Sequence, residues 1–163
     1  MNDQVQAELK KIFNGRFSTS ESTRANYARG EDTYDPILSK AVVFPETNEE
    51  VSKILSLCNK HKIPVVPFGT GTSLEGNVVG NENGITISLE KMNKILNVNA
   101  EDFDCRVQAC VTKEQLNEYL REDGVFFPID PGANAAIGGM ASTSASGTMA
   151  VKYGTMKTAI TGL

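Results

Sequence analysis

The chain has 163 residues, with 16 Lys+Arg against 20 Asp+Glu, 40% hydrophobic and 22% charged residues and a formal charge of −4, which excludes a disordered tail or a fibre. It has no lysine- or arginine-rich run to give an electrostatic footprint for nucleic acid or an anionic membrane. No apolar run approaches the roughly 20 residues of a bilayer span, and MNDQVQAELKKIF has neither a signal-peptide core nor a transit-peptide pattern, so the expected compartment is the cytosol.

Val5, Leu9, Ile12 and Phe13 fall at i, i+4, i+7 and i+8, the apolar stripe of a first helix that Gly15 can end. Residues 16–40 lack periodicity, hold Gly30 and Pro36, and read as an irregular arm on the body or on a partner surface. AVVF (41–44) is a short buried strand stopped by Pro45. Thr47 and Glu50 form a capping box, with Val51, Ile54, Leu55 and Cys58 as the stripe of the helix that follows. IPVVPFG (63–69) is the next strand, and strand, helix and strand make a βαβ unit with parallel strands. ITISL (85–89), ILNVN (95–99) and CRVQACV (105–111) then follow with short connections, which argues for antiparallel pairing. Thr112 and Gln115 cap another helix, with Leu116, Tyr119 and Leu120 on its buried face and Gly124 as its stop. VFFP (125–128) reads as a further short strand.

Cys58, Cys105 and Cys110 are odd in number and contain no CxxC pair, so they give neither a disulfide framework nor a zinc site and are expected to be buried or half-buried thiols. The single histidine, His61, lies where a helix should end, a position that suits a cationic ring. One histidine cannot supply a His-rich metal site, and no pair of carboxylates flanks the glycine-rich loops to act as a general base. Asp130 is expected to cap the turn after it and Glu75 to face outward or brace its loop.

Five of the 14 glycines fall in residues 69–84 and five in 132–154. The first window, PFGTGTSLEGN (67–77), directly follows a predicted strand. Its glycines remove side chains that would hold a ligand away from the backbone and permit positive φ, so that successive N–H groups can form an anion-binding nest. Thr70, Thr72 and Ser73 add hydroxyls. It is neither a P-loop, since no Gly-Lys-Ser/Thr follows, nor a Rossmann G-x-G-x-x-G, since Gly76 is five residues beyond Gly71. The plain alternative is an ordinary turn. The second window, DPGANAAIGGMASTSASG (130–147), joins a Pro-Gly turn, Gly138-Gly139 and a run of small residues with Ile137 and Met140 as apolar anchors. Its plain alternative is a tightly packed small-residue helix or a linker. Two such windows suggest two walls of one extended cofactor site.

VVFPETNEEVSKILSLCNKHKIPVVPFGTGTSLEG followed by DPGANAAIGGMASTSASGTMAVKYGTM resembles the FAD-binding domain of the vanillyl-alcohol-oxidase/PCMH-type flavoproteins, within them the glycolate oxidase GlcD and D-lactate dehydrogenase group. The resemblance covers residues 40–163, with 1–40 as an N-terminal helix and arm. It implies an α+β fold: a small parallel βαβ subdomain, then a mainly antiparallel one that is incomplete because the domain of relatives continues past TAITGL. It implies FAD as cofactor, with Gly69, Thr70, Gly71, Thr72 and Ser73 cradling the pyrophosphate and Pro67 and Leu74 shaping the loop. By the same resemblance Pro131, Gly132 and Ala133 lie beside the flavin, Gly138, Gly139, Ser142, Ser146 and Gly147 line a second wall, and Tyr153 follows it. The first loop lacks the histidine through which some relatives attach flavin, so non-covalent FAD is expected. The full-length enzymes oxidise a small 2-hydroxy acid to a 2-keto acid, and the substrate-binding cap is missing here, so the resemblance implies a chain inactive alone. The alternatives are a phosphate- or nucleotide-binding module, or an interaction module pairing with a second copy or a partner chain through an unfinished sheet edge.

Overall fold

The computed structural model describes residues 3–163; Met1 and Asn2, the start of the N-terminal segment read above, lie outside the described residues. The chain divides into two compact units, Met1–Lys91 and Met92–Leu163.

In the first unit, helix α1 (Asp3–Ile12) buries Val5 and Leu9, and Phe13 just beyond it, while Ile12 stays 44% exposed. Gly15 turns the chain at φ +75° into a two-residue strand β1 (Phe17–Ser18). The arm that lacks periodicity is therefore structured: it holds β1 and a short helix α2 (Glu21–Asn26) capped by Ser20. Strand β2 (Ala41–Val43) is wholly buried, as AVVF predicted. Helix α3 (Asn48–Lys60) starts at Thr47, whose hydroxyl accepts the Glu50 N–H at 3.2 Å, and ends at His61. Its inward residues are Ile54, Leu57 and Cys58; Leu55, expected inward, is exposed and Leu57 takes its place. Strand β3 (Val65–Phe68) follows, then β4 (Ile85–Ser88).

The sheet order is β1-β2-β4-β3, with β1 antiparallel to β2 and both β2 and β3 parallel to β4. Here the expected antiparallel pairing of ITISL fails: β4 lies between the two strands of the βαβ unit. The cause is visible in its burial. All four residues of β4 are buried, with Ile85 and Ile87 in the core alongside Leu9, Phe13, Val43 and Ile54, and Thr86 donating to Ser39 Oγ at 2.8 Å. A strand covered on both faces belongs in the middle of a parallel sheet.

In the second unit, β5 (Ile95–Asn99) and β6 (Asp104–Val107) form an antiparallel pair with an irregularity between Ile95 and Asn97. Helix α4 (Lys113–Leu120) is capped by Thr112, which accepts the Gln115 N–H at 3.2 Å. It buries Leu116 and Leu120 but leaves Tyr119, expected inward, 58% exposed; Gly124 ends the following turn at φ +70°. VFFP is not a strand. Asn117 satisfies both main-chain groups of Phe127, accepting its N–H at 2.7 Å and donating to its carbonyl at 3.2 Å, as a neighbouring strand would. Three short helices close the unit: α5 (Ile137–Thr143), α6 (Ala150–Tyr153) and α7 (Met156–Ala159). Its core comprises Val111, Leu116, Leu120, Ile129, Ile137, Met140 and Met156. Among the described residues no helix is long and apolar enough to cross a membrane.

Candidate functional site

The first glycine window leaves β3 directly. Pro67 occupies this edge strand, where its missing N–H removes no inner ladder bond. Buried Phe68 then turns its ring under the loop. A Cβ built on Gly71 would lie 2.8 Å from that ring, and Gly71 has φ +76°, so glycine is required here twice over. The loop residues 69–74 are half-buried or exposed, and Leu74 is 68% exposed.

Main-chain N–H groups reveal more than side chains. Those of Gly69, Thr70, Gly71, Thr72, Ser73 and Leu74 donate to no acceptor among the described residues. On a half-buried to exposed loop such a run is open to water or to an oxyanion-bearing group. The hydroxyls stay local: Thr70 and Thr72 approach at 3.4 Å, and Ser73 Oγ accepts Asn77 Nδ2–H at 3.0 Å. The loop fits a diphosphate by this test, with no cationic side chain in it.

The second window belongs to the second unit. Asp130 accepts from the Gly132 N–H at 3.0 Å and from Lys113 Nζ at 2.9 Å, which confirms it as the brace of the Pro131-Gly132 turn. Those two donors, Lys113 first, hold its carboxyl below the ordinary range. Pro131 and Gly132 are exposed, and Ala133 is half-buried. The small residues then form α5, so the packed-helix alternative describes part of this window correctly. A Cβ on Gly138 would meet Ala109 Cβ and carbonyl oxygen at 2.8 Å, and the Gly138 N–H already donates to that carbonyl. Gly138 is thus a close-packing residue. Gly139 differs: a Cβ there would meet nothing within 4 Å. Ser142 Oγ donates back to the Gly138 carbonyl at 2.8 Å. Ser146 is exposed, and a Cβ on Gly147 would collide with the Asp130 carbonyl. Tyr153 packs edge-on against Phe126 at 5.4 Å, with Lys152 over its ring.

Cys58 and Cys110 are buried, whereas Cys105, against expectation, is exposed on β6. Desolvation pushes the Cys58 thiol up, and desolvation with the Asp104 charge does the same at Cys105, so neither is poised as a thiolate.

A family model described as "FAD binding domain" matches residues 39–163. The chain is 46% identical over 140 residues to "Probable D-lactate dehydrogenase, mitochondrial" of Danio rerio, covering 86% of this chain and 28% of that protein. It is 40% identical over 153 residues to "D-lactate dehydrogenase [cytochrome], mitochondrial" of Arabidopsis thaliana, covering 93% and 27%. Over 149 residues it is 30% identical to "Glycolate oxidase subunit GlcD" of Bacillus subtilis, covering 90% and 32%. The chain therefore spans under a third of the length of these relatives. Among solved structures, an alkyldihydroxyacetonephosphate synthase superposes with a TM-score of 0.87 at 22% identity, over 97% of this chain and 32% of that one, which shows the fold.

Proposed function

From the premise that the chain belongs to the FAD binding domain family, with FAD as its cofactor, we propose that the first glycine loop, Gly69 to Ser73 with Pro67 and Leu74, holds the FAD diphosphate through main-chain N–H groups. The observation that carries this is the run of six consecutive N–H groups on that loop that donate to no acceptor among the described residues. In the second unit, Pro131, Gly132 and Ala133 serve the flavin end, with contacts from Gly138, Gly139, Ser142, Ser146, Gly147 and Tyr153. Gly132 and Gly139 leave room for it, since nothing within 4 Å fills the place of either missing side chain. FAD supplies the redox chemistry when bound, and this chain's part is to hold and orient it. FAD is held non-covalently, and acid precipitation should release all of the flavin into the supernatant.

The reaction served is oxidation of a small 2-hydroxy acid, of the D-lactate or glycolate type, to the 2-keto acid. It takes place in a longer protein, and this chain is inactive alone. Pairing through a sheet edge and a cytosolic location belong to the same proposal; the mitochondrial names belong to the relatives, and recovery in a mitochondrial fraction would reverse the location. The test is to titrate the purified chain with FAD by flavin fluorescence and to assay it with D-lactate, glycolate and a dye acceptor. The expected result is saturable binding at one FAD per chain without turnover. Turnover would refute the inactivity, and absence of binding would refute the loop's role.

A further inference from the structure

Residues 28–37, part of the arm that the sequence left without a role, touch the glycine loop through its main chain. The Glu31 N–H donates to the Gly71 carbonyl at 3.0 Å. A Cβ on Gly30 would lie 2.7 Å from that same carbonyl oxygen and 2.8 Å from the Ser73 carbonyl, so only glycine lets the arm come this close. Tyr34 lies over Gly76, whose added Cβ would meet the ring at 2.8 Å. Farther along, the Gly80 N–H donates to the Ala28 carbonyl at 2.9 Å, which ties the loop's exit to the arm.

One side chain shapes the arm. Asp32 is 8% exposed; its Oδ2 accepts the Gly30 N–H at 3.1 Å and its Oδ1 accepts the Tyr34 N–H at 3.0 Å. It folds residues 30–34 into the turn that presents Gly30 and Glu31 to the loop. A trans peptide points its carbonyl and its N–H in opposite directions. Holding the Gly71 carbonyl from the arm side therefore turns the Thr72 N–H away from the arm.

We propose that Asp32 and Gly30 are positioning residues for FAD: without touching the cofactor, they set the peptide planes of the glycine loop so that its N–H groups are ready for a diphosphate. This rests on the loop reading above. A loop ready only a tenth of the time would show about a tenfold weaker apparent affinity, although every group that binds the diphosphate is still present.

The experiment measures FAD affinity of the wild-type chain, Asp32→Ala, Asp32→Asn, Gly30→Ala and the exposed Tyr34→Ala, with hydrogen exchange of the Glu31 amide in the absence of FAD. Gly71→Val in the loop is the control. Asp32→Ala and Gly30→Ala should weaken FAD about tenfold and speed exchange of the Glu31 amide, which donates to the Gly71 carbonyl, while α1, α3 and α4 keep their protection. Asp32→Asn, which keeps one acceptor oxygen, should recover part of the affinity, and Tyr34→Ala, which leaves the turn intact, should show a smaller loss. If Gly71→Val loses FAD while the arm variants bind within twofold of wild type, the positioning role is wrong and the loop reading stands. If Gly71→Val binds FAD normally, the loop reading is wrong and the positioning role falls with it. Should Asp32→Ala and Gly30→Ala fail to fold, Asp32→Asn and Tyr34→Ala decide: both binding and exchanging as wild type overturns the proposal.

Discussion

Glu50 accepts both Arg16 Nη groups at 2.6 Å and the Glu46 N–H at 2.7 Å, and the guanidinium above all holds its carboxyl down to about 2. Glu50 thus does not complete the expected capping box by reaching back to Thr47; it ties the turn before β1 to the start of α3. Its folded pKa lies below the ordinary 4.5, so its contribution is complete above that value and is lost as pH falls from there toward 2. Glu50→Gln should cost about 1–2 kcal/mol at pH 7, after discount for partial exposure, and flatten the acid limb of stability measured by urea unfolding across pH. The adjacent glycines 138 and 139 should separate in the same assay. Gly138→Val drives a side chain into Ala109 and should cost roughly 1–3 kcal/mol. Gly139→Ala meets open space in a helix and should be neutral or stabilising by up to about 1 kcal/mol, while weakening FAD.

Among the elements, α1 is the most testable. Phe13 at its end is fully buried with Ile54, Ile85 and Ile87, so Phe13→Ala should cost about 3–5 kcal/mol by chemical denaturation; a cost under about 1 kcal/mol would mean the helix is not integral to the unit. Periodicity made α1, α3 and α4 legible, because 3.6-residue spacing and Ser/Thr caps are local signals. The place of β4 was not, since strand partners depend on residues distant in sequence; the one local clue was ITISL itself, apolar at every other position yet with small hydroxyls between, suited to burial on both faces. VFFP misled for a different reason: the main-chain groups of Phe127 find their partners in the Asn117 side chain, which no strand pattern encodes. The glycine windows announced a backbone-built site, but composition could not separate a packing glycine such as Gly138 from an open one such as Gly139. Nor could it show that a polar stretch lacking periodicity, residues 28–37, lies against the first window.

For the molecule as a whole, two units each carry one glycine window and one apolar core. The first unit braces its window from the arm, and the second braces its own from Asp130 and Lys113. On the reading proposed above, the first window puts diphosphate binding on main-chain groups, which suits a chain of net charge −4 with no cationic side chain in that loop. Affinity built on amide dipoles should also resist salt better than affinity built on lysines. The most direct measurement is a ¹H–¹⁵N NMR titration of the chain with FAD, in which the amides of Gly69, Thr70, Gly71, Thr72, Ser73 and Leu74 should move together at a single saturating stoichiometry. FAD binding that leaves those six resonances in place would contradict the account.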